Sequence, residues 1–203
     1  RDRYQYIFPD YNFSKDVKIP YNYNGKFNFN SYGYNKNYDT NITESILTND
    51  FLYSSDQFIN KVGIISNYEL LLKNNNSYSK NSSTFKENSK YDIFGTLKFD
   101  SSLPMAKINS DHTNYLTPRI SFRYSPNGNS DISSKNILLN YNNVFSLNRI
   151  GANSEVEGGE SLSLGLEFKR DNIKGFNNFD LKIANNLRLN ENTQLPSKSK
   201  LNK

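Results

Sequence analysis

Ser161-Leu162-Ser163-Leu164-Gly165-Leu166-Glu167-Phe168-Lys169 is the stretch whose reading decides the fold. Successive side chains of an extended strand point to opposite faces. Leu162, Leu164, Leu166 and Phe168 therefore share one face, and Ser161, Ser163, Gly165, Glu167 and Lys169 share the other. A helix of period 3.6 would scatter the same apolar residues around its axis. The segment is a strand with one apolar and one polar side.

The same alternation recurs on both sides of it. Ile93, Leu97 and Phe99 oppose Asp92, Thr96 and Lys98. Ile120, Phe122 and Tyr124 oppose Arg119, Ser121, Arg123 and Ser125. Phe179, Leu181 and Ile183 oppose Asp180, Lys182 and Ala184, and Phe27 and Phe29 alternate with Lys26, Asn28 and Asn30. Residues 4–13, 62–73 and 186–190 are further strand candidates, although Pro9 weakens the first. Asn24-Gly25 and Ser125-Pro126-Asn127-Gly128 supply turn chemistry, and the Ser/Asn-rich residues 74–88 read as an exposed loop. No convincing helical face is found. One strand and loop per roughly 20 residues, with strands of about 9–11, predicts about eight to ten antiparallel strands.

Composition narrows what such strands can build. Only 35% of the 203 residues are hydrophobic, and mean hydropathy is −0.79. No apolar run reaches the 18 or so residues of a spanning helix. A transmembrane β-barrel stays open, because half of each of its strands faces a polar interior. The chain holds 15 Tyr, 14 Phe and no Trp. AT-rich codons account for part of this and for the abundant Asn and Lys, but not for the order of residues. A soluble sandwich, a solenoid and a barrel in lipid all fit alternating strands. No fixed repeat supports a solenoid. Tyr115, Tyr124 and Phe179 flank strands as interfacial aromatic girdles do, although aromatics favour strands in general. The reading is an all-β, antiparallel transmembrane β-barrel, present in part as one domain over residues 1–203. The chain starts at Arg1 without an initiator Met, and an internal fragment is expected, with any secretory signal upstream.

Chemical motifs are sparse. The formal charge of +5 is dispersed, whereas a nucleic-acid surface wants a basic stripe, so no nucleic-acid partner is expected. The absence of Cys excludes disulfides and thiolate metal sites. His112 is the one histidine and lies in a loop-like stretch, Ser110-Asp111-His112-Thr113, without a nucleophile motif. No phosphate loop, zinc motif or calcium loop is present. The chain is read as non-enzymatic, with no catalytic residue, cofactor or metal.

One segment stands apart. Asn143-Val144-Phe145-Ser146-Leu147-Asn148-Arg149-Ile150-Gly151 leads to Glu155-Val156-Glu157-Gly158-Gly159 and then into the alternating strand. From its residues alone it is an ordered loop whose glycines ease the start of a strand. It closely resembles a signature of the lipopolysaccharide-assembly outer-membrane protein D family, also called organic solvent tolerance protein. That family carries a run like N-x-F-S-x-N-R-F/I-x-G, then R/V-E-G-G, then an L-x-L-G-L strand. The matching residues here are Asn143, Phe145, Asn148, Arg149, Glu157, Gly158 and Gly159. Arg3-Tyr4-Gln5-Tyr6-Ile7-Phe8-Pro9 and Tyr115-Leu116-Thr117-Pro118-Arg119 are similar to other family strands. So are Asn186-Leu187-Arg188-Leu189-Asn190 and Leu195-Pro196-Ser197-Lys198-Ser199-Lys200-Leu201, although Lys198 and Lys200 replace small residues. Residues 37–88 resemble nothing in the family.

The resemblance implies a large C-terminal barrel that receives lipopolysaccharide from periplasmic bridge proteins and releases it sideways into the cell outer membrane. It also implies a plug lipoprotein inside the barrel, contact with outer-membrane lipid, and further strands beyond residue 203. On the polar faces Lys98, Arg119, Arg123, Lys169 and Lys182 are candidate lumen-facing cations for lipopolysaccharide phosphates. The alternative is that they pair with Asp92, Glu167 and Asp180 in a hydrated lumen. Another outer-membrane barrel, such as a porin or siderophore receptor, and a soluble β-rich adhesin or binding module are the rival functions.

Overall fold

A computed structural model describes residues 4–18, 24–83, 87–126, 131–134, 136–150, 155–172, 177–198 and 201–202. Among them are ten strands and no helix. They are β1 (Gln5–Lys18), β2 (Gly25–Tyr38), β3 (Thr43–Ser55), β4 (Phe58–Ile59), β5 (Ile65–Lys80), β6 (Asn88–Ser102), β7 (Met105–Ile108), β8 (His112–Ser125), β9 (Gly159–Asn172) and β10 (Asn177–Arg188). All belong to one antiparallel sheet with the order β1-β2-β3-β5-β6-β8-β9-β10, in which β4 pairs with β5 and β7 with β8. The order is an open path with β1 and β10 at its ends, and among the described residues no ladder closes it into a ring.

The long strands run 12–16 residues, beyond the span expected for a bilayer crossing alone. Residues 74–80, expected in a loop, extend β5 to Lys80, and β6 starts at Asn88. The loop read over 74–88 therefore loses residues 74–80 to β5 and Asn88 to β6, and residues 84–86 lie outside the described residues. Polar residues continue a strand at no cost where each finds a partner, as Asn75 does in accepting from the Thr48 hydroxyl at 2.8 Å. Pro9 lies at a register break between Ile7 and Asp10 on the edge strand β1, where a residue without an N–H is tolerated. Pro118 has a similar excuse. It falls where β8 passes from pairing with β6 to pairing with β7, and its carbonyl accepts from the Leu103 amide.

The chain divides into two compact units, Arg1–Ser54 with Leu70–Gly95, and Ser55–Glu69 with Thr96–Lys203. In the first, Thr48, Lys73 and Ser79 are buried on one face, together with Leu71 and Phe94. Leu47, Phe51, Leu70 and Leu72 are exposed on the other. On the buried side Lys73 pairs with Asp50 at 2.5 Å, and Glu44 accepts from the Ser82 hydroxyl at 2.6 Å.

The second unit repeats this sorting more sharply. Thr96, Lys98, Asp100, Ser121, Arg123, Ser125, Ser161 and Ser163 are buried. The alternating residues Leu97, Phe99, Ile120, Phe122, Tyr124, Leu164 and Leu166 are exposed. The face assignment made for residues 161–169 holds, with Ser163 at 3% exposure beside Leu164 at 42%. Its compact apolar cluster is built from segments outside the sheet, with Ile132, Ile150, Leu195 and Leu201 at the centre and Ile137 and Leu139 against it. The Ile132 amide donates to the Gln194 carbonyl, and the Asn192 amide to the Asn202 carbonyl. Asn127 and Gly128 of the expected turn, and Gly151, lie outside the described residues.

Candidate functional site

Residues 144–149 of the connection from β8 to β9 lie on the polar face of β8, β9 and β10, and an ionic cluster fixes them there. Arg149 grips Glu157 side-on. Its Nε donates to Oε2 at 2.8 Å and its Nη2 to Oε1. Nη2 also donates to the Ser161 hydroxyl at 2.7 Å, and Nη1 to the Asn186 side-chain oxygen. Arg188 adds a second guanidinium, with Nη1 donating to Glu157 at 2.7 Å and Nη2 to the Gly158 carbonyl. Glu157 is fully buried. Burial pushes its carboxyl up, but the surrounding Arg149, Arg123 and Arg188 outweigh burial and hold it below its ordinary value.

Alternation of the strands explains why these groups meet. Arg123 pairs with Ser161 across β8 and β9, and Ser163 pairs with Asn186 across β9 and β10. All four point to one face. Arg123 donates from Nε to the Leu147 carbonyl at 2.8 Å. Its Nη1 and Nη2 are buried without hydrogen-bond partners among the described residues, and Nη1 stands 3.9 Å from Glu157. Three guanidinium groups thus surround one carboxylate, so each depends heavily on Glu157 staying ionised.

Phe145 is the apolar half of the seat. It is buried over Gly165, where a Cβ would come within 2.5 Å of the ring Cζ. Arg119 lies 4.3 Å over the ring centroid, and the Phe145 carbonyl accepts from Lys98 at 3.0 Å. The Ser163 hydroxyl donates to the Val144 carbonyl at 3.2 Å. Asn143 shapes the turn before it, donating from its side chain to the Leu138 carbonyl at 2.9 Å and accepting from the Asn140 amide. Asn148 accepts from the Ile150 amide, a local side-chain turn. Gly159 starts β9 at φ +90°, where a Cβ would also strike the Arg188 guanidinium. Four of the signature residues, Arg149, Glu157, Gly158 and Gly159, thus meet in the ionic cluster, Phe145 is seated on Gly165 of β9, and Asn143 and Asn148 shape turns of the same loop.

The five candidate cations all project from the same polar side, but in different states. Lys98 and Arg123 are buried. Lys98 pairs with Asp100 at 2.8 Å and Glu69 at 3.0 Å. Arg119 approaches Asp100 at 3.5 Å. Lys169 pairs with Asp171 at 2.8 Å, and Lys182 with Glu167 at 3.3 Å and Asp180 at 3.7 Å. Asp92 pairs instead with Lys90. Near residues 144–149 the polar face is covered by the loop and is not a hydrated wall. A cleft of about 440 Å³ remains beside β10, lined by Leu139, Tyr141, Val144, Lys182 and Ala184 among others.

His112 begins β8. Asn109 donates to its Nε2 at 3.0 Å, which leaves Nδ1–H to donate to Asp111 at 2.7 Å. It staples the β7–β8 turn. Sequence reading missed Arg188 as a member of the cluster. The signal was available, since Asn186 and Arg188 share the polar parity of Lys182 and Ala184.

The class defined by fold and site is thus an antiparallel all-β sheet whose polar face is partly sealed by a loop held through a buried Arg–Glu pair. The chain matches no known family model, and no curated protein is similar to it.

Proposed function

We propose that the chain is part of an outer-membrane β-barrel that places lipopolysaccharide in the outer leaflet. The observation that carries the membrane half of this reading is the inverted sorting of residues. A large apolar side chain left in water forgoes about 1.5–3 kcal/mol of burial, and here such residues form whole strand faces. Ion pairs and hydroxyls take the buried side instead. Lipid reverses the usual preference and makes this the stable arrangement. No helix among the described residues is long and apolar enough to cross a membrane. Crossing by strands needs none.

The lipopolysaccharide half rests on the resemblance over residues 143–168. The Arg149–Glu157 seat supports it, because it brings Arg149, Glu157, Gly158 and Gly159 of the signature together. Lipopolysaccharide, outer-membrane lipid, periplasmic bridge proteins and a plug lipoprotein are the proposed partners, and the cell outer membrane the proposed location. Depleting the full-length protein is expected to strand lipopolysaccharide short of the cell surface and admit large hydrophobic antibiotics. Normal surface lipopolysaccharide after complete depletion would leave a barrel of another kind, such as a porin.

A further inference from the structure

Within the first unit, a line of polar side chains crosses the outward face over four strands. On one side of that line lie aromatic and aliphatic residues. Phe13, Phe29 and Phe51 stack in series, with centroid separations of 6.1 and 4.7 Å, and Phe27 meets Tyr53 at 6.2 Å. Leu70 and Leu72 continue the belt on β5. The line itself is made of hydrogen-bonded, uncharged side chains. Tyr11 meets Ser31 at 3.3 Å, Ser31 donates to Asn49 at 2.7 Å, and Asn49 donates to Asn74 at 3.3 Å. Asn74 and Asn76 exchange two further bonds. Beyond the line two facing β2–β3 pairs are polar, with Ser45 donating to Asn35 at 2.8 Å and Thr43 to Asn37 at 3.1 Å, while Leu47 and Tyr78 stay exposed there.

We propose that this Tyr11–Ser31–Asn49–Asn74 line sits at the headgroup level of the bilayer and meets the ester and phosphate groups of lipid. The inference rests on the membrane reading above and adds a depth to it. In the acyl region every polar group must be satisfied within the protein, and the line satisfies its members from strand to strand. Uncharged hydroxyl and amide groups suit a layer of glycerol esters and phosphates. Charge agrees. Lys15 is the outward cation among the apolar residues of β1, and it pairs in register with Phe29, one outward step inside the line. Its long stem lets the ammonium snorkel back to phosphate. Strand length agrees as well. From Ser31 to Tyr38 β2 runs on for seven residues, about 23 Å at 3.3 Å each, so the far ends of β2 and β3 stand in water.

The chain has no cysteine, so single thiols can be labelled cleanly with an environment-sensitive fluorophore. The full chain would be refolded into phosphatidylcholine vesicles brominated either near the glycerol or deep in the acyl chains. Labels at Leu70→Cys and Leu72→Cys should lose most of their emission to deep bromines. Labels at Asn49→Cys and Asn74→Cys should be quenched best by shallow bromines. Labels at Ser45→Cys and Tyr78→Cys should be quenched by neither. Absence of quenching at Leu70 and Leu72 would overturn the membrane reading itself. Deep quenching at Ser45 and Tyr78 would keep the membrane and overturn the headgroup level. Lys15→Glu, labelled at Leu72→Cys, supplies a second arm. It should move the label's quenching profile, and an unchanged profile would remove Lys15 from phosphate contact.

Discussion

A buried Arg–Glu pair is worth most when both of its members are kept. Glu157 has no water to fall back on, and Arg149 satisfies both its oxygens while also holding Ser161 and Asn186. Removing one partner of such a pair costs about 3–5 kcal/mol, because the other charge stays buried and unpaired. Arg149→Ala is therefore expected to release residues 136–150 from the sheet, seen as new protease cleavage there while the strands stay protected. Arg149→Lys should rescue little, since one ammonium cannot reproduce the side-on, two-oxygen grip. The same pair sets a pH dependence. The folded pKa of Glu157 lies below its unfolded value near 4.5, so its contribution is complete above that value and lost as pH falls through the folded pKa. Protease protection of the loop is expected to hold at neutral pH and to fail only in acid below about pH 4.5. In Glu157→Gln the loop should be open at neutral pH, with this acid step abolished. Protection unchanged by acid in the parent chain would mean that Glu157 does not hold the loop.

At the scale of elements, alternation made the strand faces legible, because period two is a local property that neighbouring residues express together. What it could not give was strand length or the loop's resting place. Asn74, Asn75 and Asn76 look like loop residues until Thr48 and Asn49 stand beside them. The seat of Phe145 depends on Gly165, twenty residues away in sequence, and on Arg119 from another strand. Such meetings are set by sheet register, which one sequence does not reveal. This alters what substitutions in β9 should do. Facing a hydrated lumen, Ser163→Arg would be harmless. Instead Ser163 lies under the loop, accepting from Arg149 and bonded to Val144 and Asn186. Ser163→Arg is expected to expel the loop by adding a cation to a cluster already rich in guanidinium. Leu164→Arg should fail differently, since a lipid-facing Arg near mid-bilayer costs roughly 2–4 kcal/mol. Thiol labelling separates the two faces. Leu164→Cys should react with a lipid-soluble maleimide and resist an aqueous one. Ser163→Cys should resist the aqueous reagent until Arg149→Ala lifts the loop. Aqueous labelling at Leu164 would defeat the lipid assignment of that face.

For the whole molecule, the open sheet and its apolar face lead to one outcome in water. Among the described residues β1 and β10 end the strand path with one side unpaired, and unpaired edges recruit other strands. β10 offers Phe179, Leu181, Ile183 and Leu187 along its exposed face, and β1 offers Tyr11, Phe13 and Val17. The buried polar side cannot compensate, because its ion pairs are spent on one another and on the loop. The apolar cluster around Ile132, Ile150, Leu195 and Leu201 is small beside the apolar surface left outside. In plain buffer the 203-residue chain is therefore expected to self-associate through both features, and detergent should cure only one of them. Micelles can cover the faces, but they offer no backbone N–H or C=O to the edges. Sedimentation should accordingly show large aggregates in buffer and small strand-paired oligomers in detergent, with β-rich circular dichroism in both. Proline substitutions at Lys182 and Ala184 on β10, whose amides alternate with the Leu189 amide that donates to the Glu160 carbonyl of β9 and so face the open side, would remove edge donors and should shift the detergent-solubilised protein toward monomer without restoring solubility in buffer. A monomer that unfolds cooperatively in plain buffer would show instead that the exposed apolar faces belong to a self-sufficient soluble sheet, and would favour the adhesin-like reading over the barrel.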